Sequence, residues 1–194
     1  MSGPRVRLAQ VEGSLMWPPP TRDDQCIGAM ATAPPLVGYR PGHAPLLAGA
    51  WAGGELLCFA DDEARRAGVR TVAPEPGGGS DWTLRRRLMI LPEVGFVRFT
   101  EIEGVHRRAR LQIGLQGEFD AAAAARVLTL ARDCAFGDLN LNRVYGWVRG
   151  TQAPVLALLP GAGFAPEATI PAGARVDGRP VDRQLWGALR SEWS

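Results

Sequence analysis

Few side chains in this sequence have the chemistry for catalysis, and their spacing narrows the choice further. The two histidines, His43 in Pro41-Gly-His-Ala-Pro45 and His106 in Glu103-Gly-Val-His-Arg-Arg108, are isolated from each other and form no metal-binding pattern. Cys26, Cys58 and Cys134 are scattered, odd in number and without a Cys-x-x-Cys pair, so neither a disulfide framework nor a zinc site is implied. No lysine occurs, which excludes Schiff-base chemistry on a lysine. Arg85-Arg-Arg87 reads as part of a strand, where neighbours point to opposite faces and three arginines cannot gather into one anion-binding patch. What remains is carboxylates and phenols: Glu101 and Glu103 at the end of a predicted hairpin, and the only tyrosines, Tyr39 and Tyr145.

The elements that must position these groups centre on residues 109–148. Leu111, Ile113 and Leu115 recur at a period of two, which predicts a strand over Ala109–Leu115 with one apolar face. From Asp120 the period changes. The alanine-rich run with Val127, Ala131, Ala135 and Leu139 four apart predicts one long helix over Asp120–Leu139, ended by Asn140 and Asn142. Arg143–Val148 is β-branched and aromatic, so the unit is strand, helix, strand with a right-handed crossover. Upstream, Thr83–Leu91 and Val94–Ile102 form a predicted hairpin about Leu91-Pro-Glu-Val94. Downstream, Thr151–Leu159 begins as a helix with Pro154 in its first turn, and Asp177-Gly178 marks the turn of a hairpin over Ala174–Trp186.

Residues 12–80 carry a density of proline and glycine that permits only short helices, such as one at Asp61–Ala67 stopped by Gly68; a first strand is expected at Val6–Val11. With 194 residues and 46% hydrophobic content, the chain is expected to be one domain, an irregular part over 1–80 joined to a sheet and helix core over 81–194. A formal charge of +2 is too small for a chain whose main partner is nucleic acid. No apolar run approaches the ~20 residues of a membrane span, and no leader is evident, so the expected setting is a reducing cytoplasm away from membranes. A homodimer is one expected assembly.

Several stretches in order resemble the GNAT superfamily of N-acetyltransferases, in particular the branch acting on ribosomal-protein amino termini. They are Gly95-Phe-Val-Arg-Phe99, Ile102–Leu111, Ala135-Phe-Gly-Asp-Leu-Asn-Leu-Asn-Arg-Val144, Gly163-Phe164, Val176-Asp-Gly-Arg-Pro-Val-Asp182 and Trp186–Trp193. The resemblance implies a single-domain α/β fold, a mixed sheet splayed between Leu111 and Tyr145 and flanked by helices. It implies acetyl-coenzyme A, or another acyl-coenzyme A, lying between the splayed strands along Ile113 and Leu115, with its pyrophosphate at the helix start near Ala122 and Ala124. Gln152 falls where the family places a cofactor-positioning asparagine. The acceptor would be a small amine or a peptide amino terminus, with Glu101 and Glu103 as candidate bases, Tyr145 lining the site and His43 carried over the cleft on its loop.

The sequence also departs from the family pattern. The family's phosphate loop, Gln/Arg-x-x-Gly-x-Gly/Ala, falls on Phe119–Ala124, where only Ala124 conforms. Asp120 is expected to cap the helix with its own carboxylate, and that charge 4–5 Å from a pyrophosphate would cost roughly 3–4 kcal/mol at an effective dielectric near 20. The family's general-acid tyrosine falls on Leu159. Two readings follow: an acyl-coenzyme A dependent N-acyltransferase, and a repurposed fold that has lost the cofactor and binds a small molecule or partner, or runs another reaction, in the same cleft.

Overall fold

The computed structural model describes residues 36–53, 56–57 and 88–193. The expected strand at 6–11, the helix at 61–67, the arginines at 85–87, Cys26 and Cys58 lie outside these residues. Along the described chain run β1 (Val37–Gly38), α1 (Ala44–Gly53), β2 (Leu88–Leu91), β3 (Gly95–Glu103), β4 (Arg108–Leu115), α2 (Ala121–Phe136), β5 (Arg143–Arg149), α3 (Ala153–Leu158), β6 (Ala165–Val176) and β7 (Arg179–Leu189). The strands form one mixed sheet in the order β1-β2-β3-β4-β5-β7-β6, antiparallel everywhere except between β4 and β5. That parallel pair is the strand, helix, strand unit, with α2 as the crossover.

Alternation along the strands separates two cores. Met89, Leu91, Val97, Phe99, Leu111 and Ile113 face α2, which buries Val127, Leu128, Ala131 and Ala135 against them. Leu88, Ile90 and Phe96 face the other way and are covered by Leu47, Ala50 and Trp51 of α1, with Trp51 stacked on Phe96 at 6.2 Å. Helices therefore cover both faces of the β2-β3-β4 half of the sheet.

Several boundaries differ from the sequence expectation, among them the end of α2 and both ends of the last hairpin, which runs on to Leu189. Helix α2 ends at Phe136 rather than Leu139: Gly137 makes a last regular helical bond to the Asp133 carbonyl, after which Leu139 reaches back past the helical spacing to Cys134 and Asn140 adopts a left-handed φ of 48°. The last hairpin begins at Ala165 rather than Ala174. Pro166 and Pro171 argue against a strand on local grounds, but β6 is the sheet edge, where an absent N–H costs no ladder bond, and the register shifts at Pro166/Ala168 and Ile170/Ala174 absorb the misfit. Among the described residues no helix is long and apolar enough to cross a membrane.

Candidate functional site

The expected splay is present. Strands β4 and β5 pair only at Arg108/Arg143, Ala109/Val144 and Arg110/Tyr145; beyond this vertex Leu111–Leu115 and Gly146–Arg149 diverge without pairing. The vertex carries a polar cluster of Glu101, Arg110 and Tyr145. Tyr145 donates its hydroxyl to Glu101 Oε2 at 2.7 Å, and Arg110 donates to Glu101 Oε1 at 3.1 Å. Arg110 and Tyr145 are register partners, so both side chains rise from the same face of the sheet. Glu101 reaches them because β3 bulges between Thr100 and Glu103, placing Glu101 at φ 51°. A non-glycine residue in that region costs roughly 1–2 kcal/mol, a strain that bulges beside functional sites commonly carry.

The electrostatics follow from these contacts. The Tyr145 hydrogen bond, reinforced by Arg110 and opposed by burial, holds the Glu101 carboxyl below its ordinary value. Burial, then the Glu101 carboxylate, pushes the Tyr145 phenol up. Glu101 is therefore ionised and Tyr145 protonated at neutral pH. Along the same strand, the Arg143 guanidinium lies 4.6 Å from the Tyr145 ring centre and donates to both oxygens of Glu167, while the Arg183 guanidinium lies 4.1 Å from the ring centre of Trp147. Both of these aromatic faces are therefore already covered by guanidinium groups of the chain itself.

The other expected site residues are dispersed. Glu103, the last residue of β3, stays beside the vertex instead, exposed and paired with Arg108 at 2.6 Å, which lowers its carboxyl and raises the guanidinium. His43 closes a 3-10 turn over Pro41–His43 and accepts at Nδ1 from the Arg40 N–H at 3.0 Å, edge-on to Tyr39. Ala122 donates its N–H to Asp120 Oδ1 at 2.8 Å, so the carboxylate does cap α2 as expected, and the buried Ala124 donates to the Asp120 carbonyl. Gln152 turns back on its own loop, accepting from the Arg149 N–H at 3.1 Å. Leu115 remains paired with Gly95 of β3.

The gap beyond the vertex holds a feature that sequence reasoning did not anticipate. The Leu56 N–H donates to the carbonyl of Ile113 at 3.2 Å, on the edge of β4 that β5 has left. Leu57 packs against Gly146 of β5: a Cβ added to that glycine would lie 2.9 Å from the Leu57 Cβ and 3.4 Å from the Leu111 carbonyl. Both leucines are fully buried in the main core. Burial of two leucines contributes about 3–6 kcal/mol. Leu56 and Leu57 thus stand between the strands where an acyl-coenzyme A arm would lie, and at the start of α2 the Asp120 carboxylate takes the Ala122 amide. No local signal in a breaker-rich stretch marks Leu56 and Leu57 as strand companions.

A mixed sheet splayed between its two parallel neighbours and flanked by helices is the GNAT acetyltransferase fold. Spermidine/spermine N-acetyltransferase SpeG from Vibrio cholerae, solved with manganese ions, is similar at 25% identity and a TM-score of 0.51 over 55% of this chain and 65% of that one. Spermidine N-acetyltransferase from the same organism, solved with CoA and spermine, is 28% identical with a TM-score of 0.49 over 51% of this chain and 59% of that one. The chain thus spans about three-fifths of the length of the structures it matches. No protein-family model and no curated protein matches the sequence.

Proposed function

We propose that the chain, read as one domain over residues 1–194, is an acyl-coenzyme A dependent N-acyltransferase that receives a small amine at the sheet vertex. The observation that carries this reading is the Glu101, Tyr145 and Arg110 cluster seated where β4 and β5 part. The ionised Glu101 carboxylate is the group at the vertex that suits an ammonium. A carboxyl held below its ordinary value is a weak base, so Glu101 binds and orients the amine rather than taking its proton. Between the two acceptor classes, the likeness to a spermidine acetyltransferase favours a small amine over a ribosomal-protein amino terminus. An acyl-coenzyme A enzyme of this kind would work in the cytoplasm.

A second reading, a repurposed fold without the cofactor, is favoured by the leucines in the gap and by the Asp120 carboxylate on the Ala122 amide. Calorimetric titration with acetyl-coenzyme A separates the two. Binding at micromolar to submillimolar cofactor supports the acyltransferase, and silence at millimolar cofactor in wild type and in a variant with the gap cleared rejects it. Asp120→Asn sharpens the result because it keeps a capping oxygen while removing the charge. If a pyrophosphate uses this helix start, affinity rises tenfold or more. If none does, no affinity is gained; in both cases the helix start loses about 0.3–1 kcal/mol of charge–dipole stabilisation.

A further inference from the structure

We propose that Leu56 and Leu57 are an internal occupant of the slot between β4 and β5, competing with an extended, amide-bearing ligand for the same backbone edge. The slot exists because the parallel ladder stops at Arg110/Tyr145, leaving two strand edges without each other. On one edge the chain itself partners one group: Leu56 supplies an N–H to the Ile113 carbonyl, as an added strand would. The other is filled sterically, Leu57 occupying the space that Gly146 leaves by having no side chain. A ligand that enters here must be a thin chain able to donate an amide N–H to Ile113 and lay methylenes against Gly146. The pantetheine arm of a coenzyme A thioester, a linear chain with two amides, has that chemistry.

The two occupants exclude each other, since the Ile113 carbonyl is already bonded along this edge and Leu57 already meets the Gly146 backbone. The apparent affinity for the ligand is therefore the intrinsic affinity reduced by the fraction of molecules with the slot clear. With two buried leucines to displace, that reduction is about 10²- to 10⁴-fold. The contact is thus an autoinhibitory one. This inference rests on the acyl-coenzyme A reading and adds to it the element that holds the cofactor out.

The test is titration of acetyl-coenzyme A into wild type and Leu57→Ala, with amide hydrogen exchange at Leu56 followed in wild type. Leu57→Ala is expected to bind at least tenfold more tightly, and saturating cofactor is expected to speed exchange at Leu56 in wild type by tenfold or more. Equal affinity in the two folded proteins, or cofactor bound with the Leu56 amide still protected, overturns the competition while leaving the acyltransferase reading in place. Silence from both proteins at millimolar cofactor overturns the two together. If Leu57→Ala does not fold, Leu57→Val takes its place, and the exchange measurement needs no variant.

Discussion

Alanine at Leu111 is expected to cost about 2–5 kcal/mol of stability, measured as a lower urea midpoint with an unchanged slope. Leu111 is fully buried, lies opposite Phe99 in the β3–β4 ladder, and is the first residue of β4 past the vertex. Its isobutyl group faces the α2 side of the sheet, and truncation there leaves a void that two rigid strands and a helix cannot collapse to fill. The size of the cost reports how well this point is packed. A loss under about 1 kcal/mol would mean that the core beneath the vertex rearranges freely, and the splay would then lack the rigid base that the site requires.

If the vertex receives an amine as proposed, Glu101→Gln is expected to weaken its binding by about 10- to 100-fold, the usual worth of a charge-assisted hydrogen bond to a bound ammonium, with binding of a neutral analogue unchanged. Equal loss for amine and neutral analogue would instead indicate a general disturbance of the vertex. The same substitution carries a pH signature. The folded-state pKa of Glu101 is depressed below its ordinary value of 4.5, so its contribution to stability is fully present above that pH and is lost as pH falls through the folded value. In Glu101→Gln this segment of the acid limb should flatten. The side chain is 55% exposed, so solvent screening keeps the contribution small, at most about 1 kcal/mol, and thermal melts from neutral pH down to about pH 3 would detect it.

What the sequence determined by itself is whatever rests on local periodicity. Leu111, Ile113 and Leu115 at period two, then the four-residue spacing of Val127, Ala131 and Ala135, define a strand and a helix regardless of context, because burying one apolar face outweighs the other local preferences in each segment. Asp120 was legible as a cap because its carboxylate needs only the N–H two residues along. Asp177-Gly178 likewise defined a turn within its own neighbourhood, with both residues at positive φ.

Tertiary structure decided the rest, since the contacts that matter join residues far apart in the chain. Glu101 and Tyr145 meet only because a bulge in β3 turns the first toward the second across β4. Nothing local in Glu101-Ile-Glu103 separates the carboxylate that reaches Tyr145 from the one that pairs with Arg108. Strand β6 extends through two prolines because its outer edge needs no donor, a property of its place in the sheet and not of its residues. The occupant of the gap is the extreme case. Leu56 and Leu57 belong to no periodic pattern, and their role comes from an edge that exists only once β4 and β5 have paired at one end and parted at the other.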